Sequence, residues 1–190
     1  MPPPLLYDLT ALQKEANKRY GYTAEKTLSL AQSLYEKKCT TYPRTGSRYI
    51  SEDIFEEIPS LLENLKDDPD YGDYVEKLTA GTLNRRSVDD TKVTDHHAIL
   101  LTGEKSDSLT RDEEVLYRMI TVRMLESFSE AAIEETLTAT LAQREHCFGI
   151  KAKRRVKSGW KAIRGSMVTV QDYENVVNFV EENGGNTASN

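Results

Sequence analysis

The sequence predicts an α+β fold that is mainly α: a helical body followed, from about residue 133, by a smaller strand-forming segment. Three observations carry that division. The chain opens with two capped helical patterns in succession, "DLTALQKEANKRYG" and "TAEKTLSLAQSLYEKK". A capping box, Thr110 to Glu113, heads a long apolar stripe. After residue 133 the hydrophobic period changes from that of a helix to two.

Each element follows from local chemistry. Asp8 is an N-cap, Leu9, Leu12, Ala16 and Tyr20 share one helical face, and Gly21 is a stop. Thr23 caps the second helix, with Leu28, Ala31, Leu34 and Tyr35 at helical spacing. Two helices joined by a short turn form a helix-turn-helix-like pair, a pattern shared by nucleic-acid readers and by ordinary helical hairpins. Ser51 caps a third helix whose first turn holds Glu52 and Asp53, where the helix dipole favours acids, and Pro59 is expected to break or kink it. "KDDPDYGD" reads as a turn-rich linker. The helix after Thr110 carries Leu116, Ile120 and Phe128 on its apolar face. "ETLTATLAQ" and "HCFGIKAKRRV" then alternate as strands, "QDYENVVNFVEE" suggests a short helix, and "NGGNTASN" a frayed end.

Composition bounds the function. With 38% hydrophobic and 29% charged residues in 190, the chain can bury a core without covalent staples. Cys39 and Cys147 have no partner spacing and read as free thiols in a reducing, cytoplasmic setting. No apolar run approaches a membrane span, and "MPPPLL" reads as a start in mid-protein rather than a leader. The net charge of −6 conceals strong local fields. Residues 11–50 hold eight Lys/Arg against three acids, 51–78 ten acids against two lysines, and 144–164 eight basic residues against one acid. Two basic segments separated by an acidic one suit a partner that is a polyanion, because affinity follows the local field.

"CTTYPRTGSRYIS" interrupts the helices. A phenol attacks only where a cation or metal stabilises its phenolate, and Arg44 stands two residues from Tyr42. In an extended segment those two side chains point the same way, so both can face one phosphodiester; a packed tyrosine in a turn is the plainer reading. "KVTDHHAILLT" places His96 beside His97 after Asp95. Neighbouring strand residues diverge, so a shared metal is not expected; one imidazole can reach a phosphate while the other packs or bonds to Asp95. "DPD" at 68–70 has the spacing of a magnesium pair but reads as a helix boundary, and no glycine-rich phosphate loop is present.

In sequence together, "TAEKTLSLAQSLYEKK", "TTYPRTGSRYIS" and "TDHHAILLT" resemble the active-site domain of type IA DNA topoisomerases, in forms closer to topoisomerase III than to topoisomerase I. "LTALQKEANKRYGYTAEKTLSLAQ" extends the likeness, and "FGIKAKRRVKSGWKAI" is similar to a strand pair of the family's β-rich gate domain. The resemblance implies a helical active-site domain over 9–130, the end of a gate-domain segment at 1–8, a partial gate domain over 131–182 and a disordered tail at 183–190. It implies Tyr42 as nucleophile, forming a 5′-phosphotyrosine in one DNA strand and resealing it without ATP after strand passage. Arg44 and His96 would be its catalytic partners, and Thr45, His97 and Arg48 would contact DNA. Magnesium would be held by the family's Toprim domain, whose acidic motif this sequence lacks, and not by these residues. The partners implied are single-stranded DNA and the rest of a topoisomerase chain, with no membrane, and this segment alone is expected to be inactive. Gly46 departs from the family's usual aspartate and Leu101 from its usual proline. A non-catalytic helix-turn-helix DNA-binding module is the alternative. Relaxases need a histidine triad, and recombinases need scattered arginines and histidines that do not match here.

Overall fold

A computed structural model describes residues 1–143, 146–164 and 188–189. The chain divides into two compact units, one of residues 3–130 and one of residues 1–2 with 131–190.

The first unit is helical. Helix α1 (Leu9–Tyr20) begins where the Asp8 carboxylate accepts the Ala11 N–H at 2.6 Å, and stops at Gly21, whose φ of 69° is the left-handed conformation glycine adopts at least cost. Helix α2 (Ala24–Glu36) is capped by Thr23, and α3 (Glu52–Glu63) by Ser51. Expected helix faces hold in the interior: Leu12, Ala16, Ala31 and Leu34 are buried. They fail at Tyr20 and Tyr35, which are exposed near the helix ends.

Two expectations need correction. Pro59 does not end α3, which runs unbroken from Glu52 to Glu63 and buries Ile58 and Leu62. Burial of that face outweighs the one backbone hydrogen bond a proline forgoes. The acidic linker gives way to a further helix, α4 (Gly72–Thr79). It has no side-chain N-cap, so its start carries no sequence signal. Gly72 is there for space: a β-carbon would sit 2.2 Å from the Lys66 carbonyl oxygen.

Helix α5 (Arg111–Phe128) is the axis of this unit, with Leu116, Ile120, Leu125 and Phe128 buried. Its capping box forms as expected and does more than cap. Glu113 accepts the Thr110 N–H at 2.7 Å, the Ser33 hydroxyl at 2.5 Å and the Lys37 ammonium at 2.8 Å. One carboxylate thereby ties the start of α5 to the end of α2. Residues 3–8 pack with the helices: Leu6 and Tyr7 are buried, and Tyr7 bridges to Ile99.

In the second unit β1 (Ile133–Gln143) pairs antiparallel with β2 (His146–Lys157), and Ala188–Ser189, β3, pairs with β1 on its other side. Both long strands fall where the period-two pattern placed them. The helix expected over "QDYENVVNFVEE" lies outside the described residues.

Burial raises the Glu113 carboxyl, but its bonds to Lys37, Ser33 and the Thr110 N–H outweigh that and hold it down at about 2. A depressed carboxyl contributes stability that is complete above its ordinary value of 4.5 and lost as pH falls toward about 2. Glu113→Gln should therefore cost about 2 kcal/mol at pH 7 by urea denaturation, a hydrogen-bonded charge being worth about that much. The gap from the parent should narrow steadily between pH 4.5 and pH 2.

Candidate active site

The end of α2 sets the site. The Lys38 N–H donates to Tyr35 O and the Cys39 N–H to Leu34 O, each at 2.9 Å, the two bonds of a Schellman motif. That motif needs a left-handed residue, and Lys38 supplies it with φ of 61°, at a cost glycine would not incur. The chain leaves the helix in a fixed direction and pairs at once with the "HHAILLT" segment. Thr40 bridges antiparallel to Leu101, the Thr41 N–H donates to Leu100 O at 2.9 Å, and the Thr102 N–H donates to Cys39 O at 3.2 Å. The Thr41 hydroxyl works on the same partner strand, accepting the Leu100 N–H at 2.9 Å and donating to Ala98 O at 3.4 Å. Cys39 is a buried free thiol there, as expected.

This pairing carries Tyr42 to His96. Their ring centroids are 4.6 Å apart at 47°, and the Tyr42 ring also meets Tyr35 at 5.3 Å and 75°, edge against face. Tyr42 is half-buried rather than sealed, and its hydroxyl has no hydrogen-bond partner among the described residues. Burial alternates along the segment: Pro43, Thr45 and Ser47 are buried, while Tyr42 is half-buried and Arg44 and Gly46 are exposed. The exposed Arg44 guanidinium makes no hydrogen bond or ion pair among the described residues. A phenol oxygen and a permanent positive charge, two residues apart, are thus both open to solvent and both without a partner among the described residues.

The remaining predicted residues divide by what they touch. Thr45 is buried and donates its hydroxyl to His96 O at 3.1 Å, while its own carbonyl accepts the Leu9 N–H at 3.1 Å, so it supports the strand bearing the imidazole. His96 itself is exposed. His97 is half-buried with Nδ1 2.7 Å from Ala98 O, which puts the proton on Nδ1; this carbonyl takes the place of the expected Asp95. Arg48 is not on the open face with Arg44. Its Nε donates to Leu6 O at 3.0 Å and its Nη2 to Leu5 O at 3.3 Å, tying the N-terminal segment to this strand.

Sequence reasoning missed two participants. Thr41 carried no signal beyond a β-branched residue in an extended run, and Tyr35 was assigned to an apolar face. Both family departures are accommodated. A β-carbon at Gly46 would meet nothing within 4 Å. Leu101 is buried, and its N–H points to the Met124 sulfur at 3.2 Å, so this chain uses a donor that proline lacks.

In the second unit, Lys151 and Lys153 are exposed on one face of β2, while Arg154 meets Glu135 at 2.5 Å. Among the described residues no group of three or more His, Cys, Asp or Glu could hold a metal ion. No helix among them is long and apolar enough to cross a membrane.

Comparisons with known proteins converge. The profile of a family described as DNA topoisomerase matches residues 1–188. "DNA topoisomerase 3" of Shouchella clausii is 40% identical over 165 residues, 84% of this chain and 23% of that protein. "DNA topoisomerase 1" of Pyrococcus horikoshii is 38% identical over 173 residues, 90% of this chain and 25% of that protein. The fold matches full-length topoisomerase I of Thermotoga maritima with a TM-score of 0.66 at 22% identity, covering 88% of this chain and 28% of that one. The chain spans about a quarter of the length of these relatives.

Relief of the left-handed lysine is directly measurable. Lys38→Gly should raise stability by about 1 kcal/mol in chemical denaturation, since glycine adopts that conformation without the side-chain clash. Lys38→Val should lower it by at least as much.

Proposed function

The chain belongs to the type IA DNA topoisomerase family, and from that premise we propose that it carries the nucleophile of an ATP-independent strand-passage enzyme. The observation that carries the reading is the Tyr42 hydroxyl, unpartnered among the described residues, its ring against His96 and the exposed, unpaired Arg44 two residues on.

In this reading the Tyr42 oxygen gives up its proton and attacks the phosphorus of one DNA phosphodiester. The bond from phosphorus to the 3′ oxygen of the neighbouring nucleotide breaks, and that oxygen takes up one proton in exchange, through solvent. The products are a 5′-phosphotyrosine and a free 3′-hydroxyl. One phosphodiester replaces another, so the bond energy is kept and resealing by the same 3′-hydroxyl needs no nucleotide hydrolysis. Arg44 pairs with the non-bridging oxygens as charge grows on them in the transition state. His96 donates a hydrogen bond near the same phosphate. Thr45 holds the His96 backbone, and His97 Nδ1 donates to Ala98 O. Arg48 contributes by fixing the strand through Leu5 and Leu6 rather than through a phosphate of its own.

Magnesium, when bound, would supply positive charge to DNA phosphates. The described residues do not fit it, for no group of three or more His, Cys, Asp or Glu among them could hold a metal ion. We place its ligands in other parts of the enzyme and the reaction in the cytoplasm. Single-stranded DNA is the substrate that suits an exposed arginine and a half-open tyrosine on one strand edge. Lys151 and Lys153 would add salt-sensitive contacts to DNA phosphates.

Joined to the remaining segments of a relative such as the Shouchella clausii protein, the chain should form a denaturant-resistant adduct with single-stranded DNA. Peptide mapping should locate that adduct on Tyr42. Tyr42→Phe should abolish it, and Arg44→Ala should slow it by about 10²-fold or more, as loss of a transition-state donor does. An adduct on another tyrosine would refute the assignment. The chain by itself should not relax supercoiled plasmid; relaxation by the purified chain would show that the nucleophile needs no further segment.

A further inference from the structure

Tyr35 does not belong to the strand that bears the nucleophile or to the one that bears the histidines. It lies in the last turn of α2, and its backbone is fixed because its carbonyl accepts the Lys38 N–H of the Schellman turn at 2.9 Å. Its ring is 41% exposed, so it is not kept there by burial. The contact it does make is with the Tyr42 ring, 5.3 Å away and at 75°, the edge-to-face arrangement that the ring quadrupoles favour. With His96 also 4.6 Å from Tyr42, the phenol ring is in contact with two rings that come from separate segments. No described residue bonds to the Tyr42 hydroxyl, so nothing else among them steers its oxygen.

We propose that Tyr35 is a positioning residue: its ring, together with His96, holds the Tyr42 phenol in the orientation from which it attacks phosphorus. Tyr35 acts through the nucleophile and not through DNA. The inference rests on the reading of Tyr42 as nucleophile and adds to it the group that aims it. In-line displacement is sensitive to such aim, since misplacement of a reacting atom by an ångström can cost about 10²-fold in rate. The ring makes this contact, and the Tyr35 hydroxyl makes no hydrogen bond among the described residues.

The test uses Tyr35→Leu and Tyr35→Phe at two levels. In the chain itself, with ring-labelled tyrosine, the Tyr42 resonances should move in Tyr35→Leu, as the ring current is lost, and stay in place in Tyr35→Phe. In the enzyme completed with a relative's segments, adduct formation at saturating single-stranded DNA should fall about 10- to 100-fold in Tyr35→Leu. Dissociation constants for that DNA should stay within twofold, and Tyr35→Phe should restore the rate. Unchanged cleavage in Tyr35→Leu overturns the inference. So does a loss confined to affinity, which would make Tyr35 a base-stacking platform, and so does a Tyr35→Phe enzyme as slow as Tyr35→Leu. If the parent enzyme forms its adduct elsewhere than Tyr42, the nucleophile reading falls and this one with it. A defect seen only in Tyr35→Leu, on a working parent, separates the two.

Discussion

The pairing of residues 40–41 with residues 98–101 is the constraint on which the site depends. Tyr42 and His96 are 54 positions apart in sequence, and that short backbone match, reinforced by the Thr41 hydroxyl, brings their segments together and their rings into contact. The match is brief, with bridges rather than a full ladder, so its registration has to come from elsewhere. It comes from the Schellman turn behind it, which sets the exit direction from α2, and from Thr45 ahead of it, which grips the His96 backbone. A one-residue slip would turn Tyr42 inward and Pro43 outward.

The helices serve this pairing. Helix α5 supplies the buried wall, with the Met124 sulfur beneath Leu101, and its first turn is bound to the end of α2 through Glu113. The charge arrangement separates two jobs. Glu113 with Lys37, and Arg123 with Glu15, are spent inside the unit as scaffold. Arg44, two residues from Tyr42, is left unpaired among the described residues, where an anion would be its partner.

Much of this could be read from the residues. Capping chemistry located α1, α2, α3 and α5, because Asp8, Thr23, Ser51 and Thr110 each supply an oxygen to the first turn. The period-two run found both long strands. Helix α4 escaped because it lacks a cap and starts on a glycine required by the nearby Lys66 carbonyl, a tertiary fact. Pro59 misled because a local penalty was weighed without the burial that offsets it. At the site, Tyr42, Arg44 and His96 were legible as chemical types in short motifs. Arg48 was not, since its two carbonyl partners lie more than 40 positions back, and neither was Tyr35, whose contact depends on where the helix ends.

The alternation along residues 42–47 has a consequence for how such a strand can diverge. Its inward side is crowded with bonds that the fold requires, whereas its outward side is bare, and at Gly46 even a β-carbon would meet no neighbour. Packing contacts and open surface therefore alternate along one backbone. Lineages can retune the outer side, adding or removing a carboxylate at position 46, without renegotiating the packing beneath it.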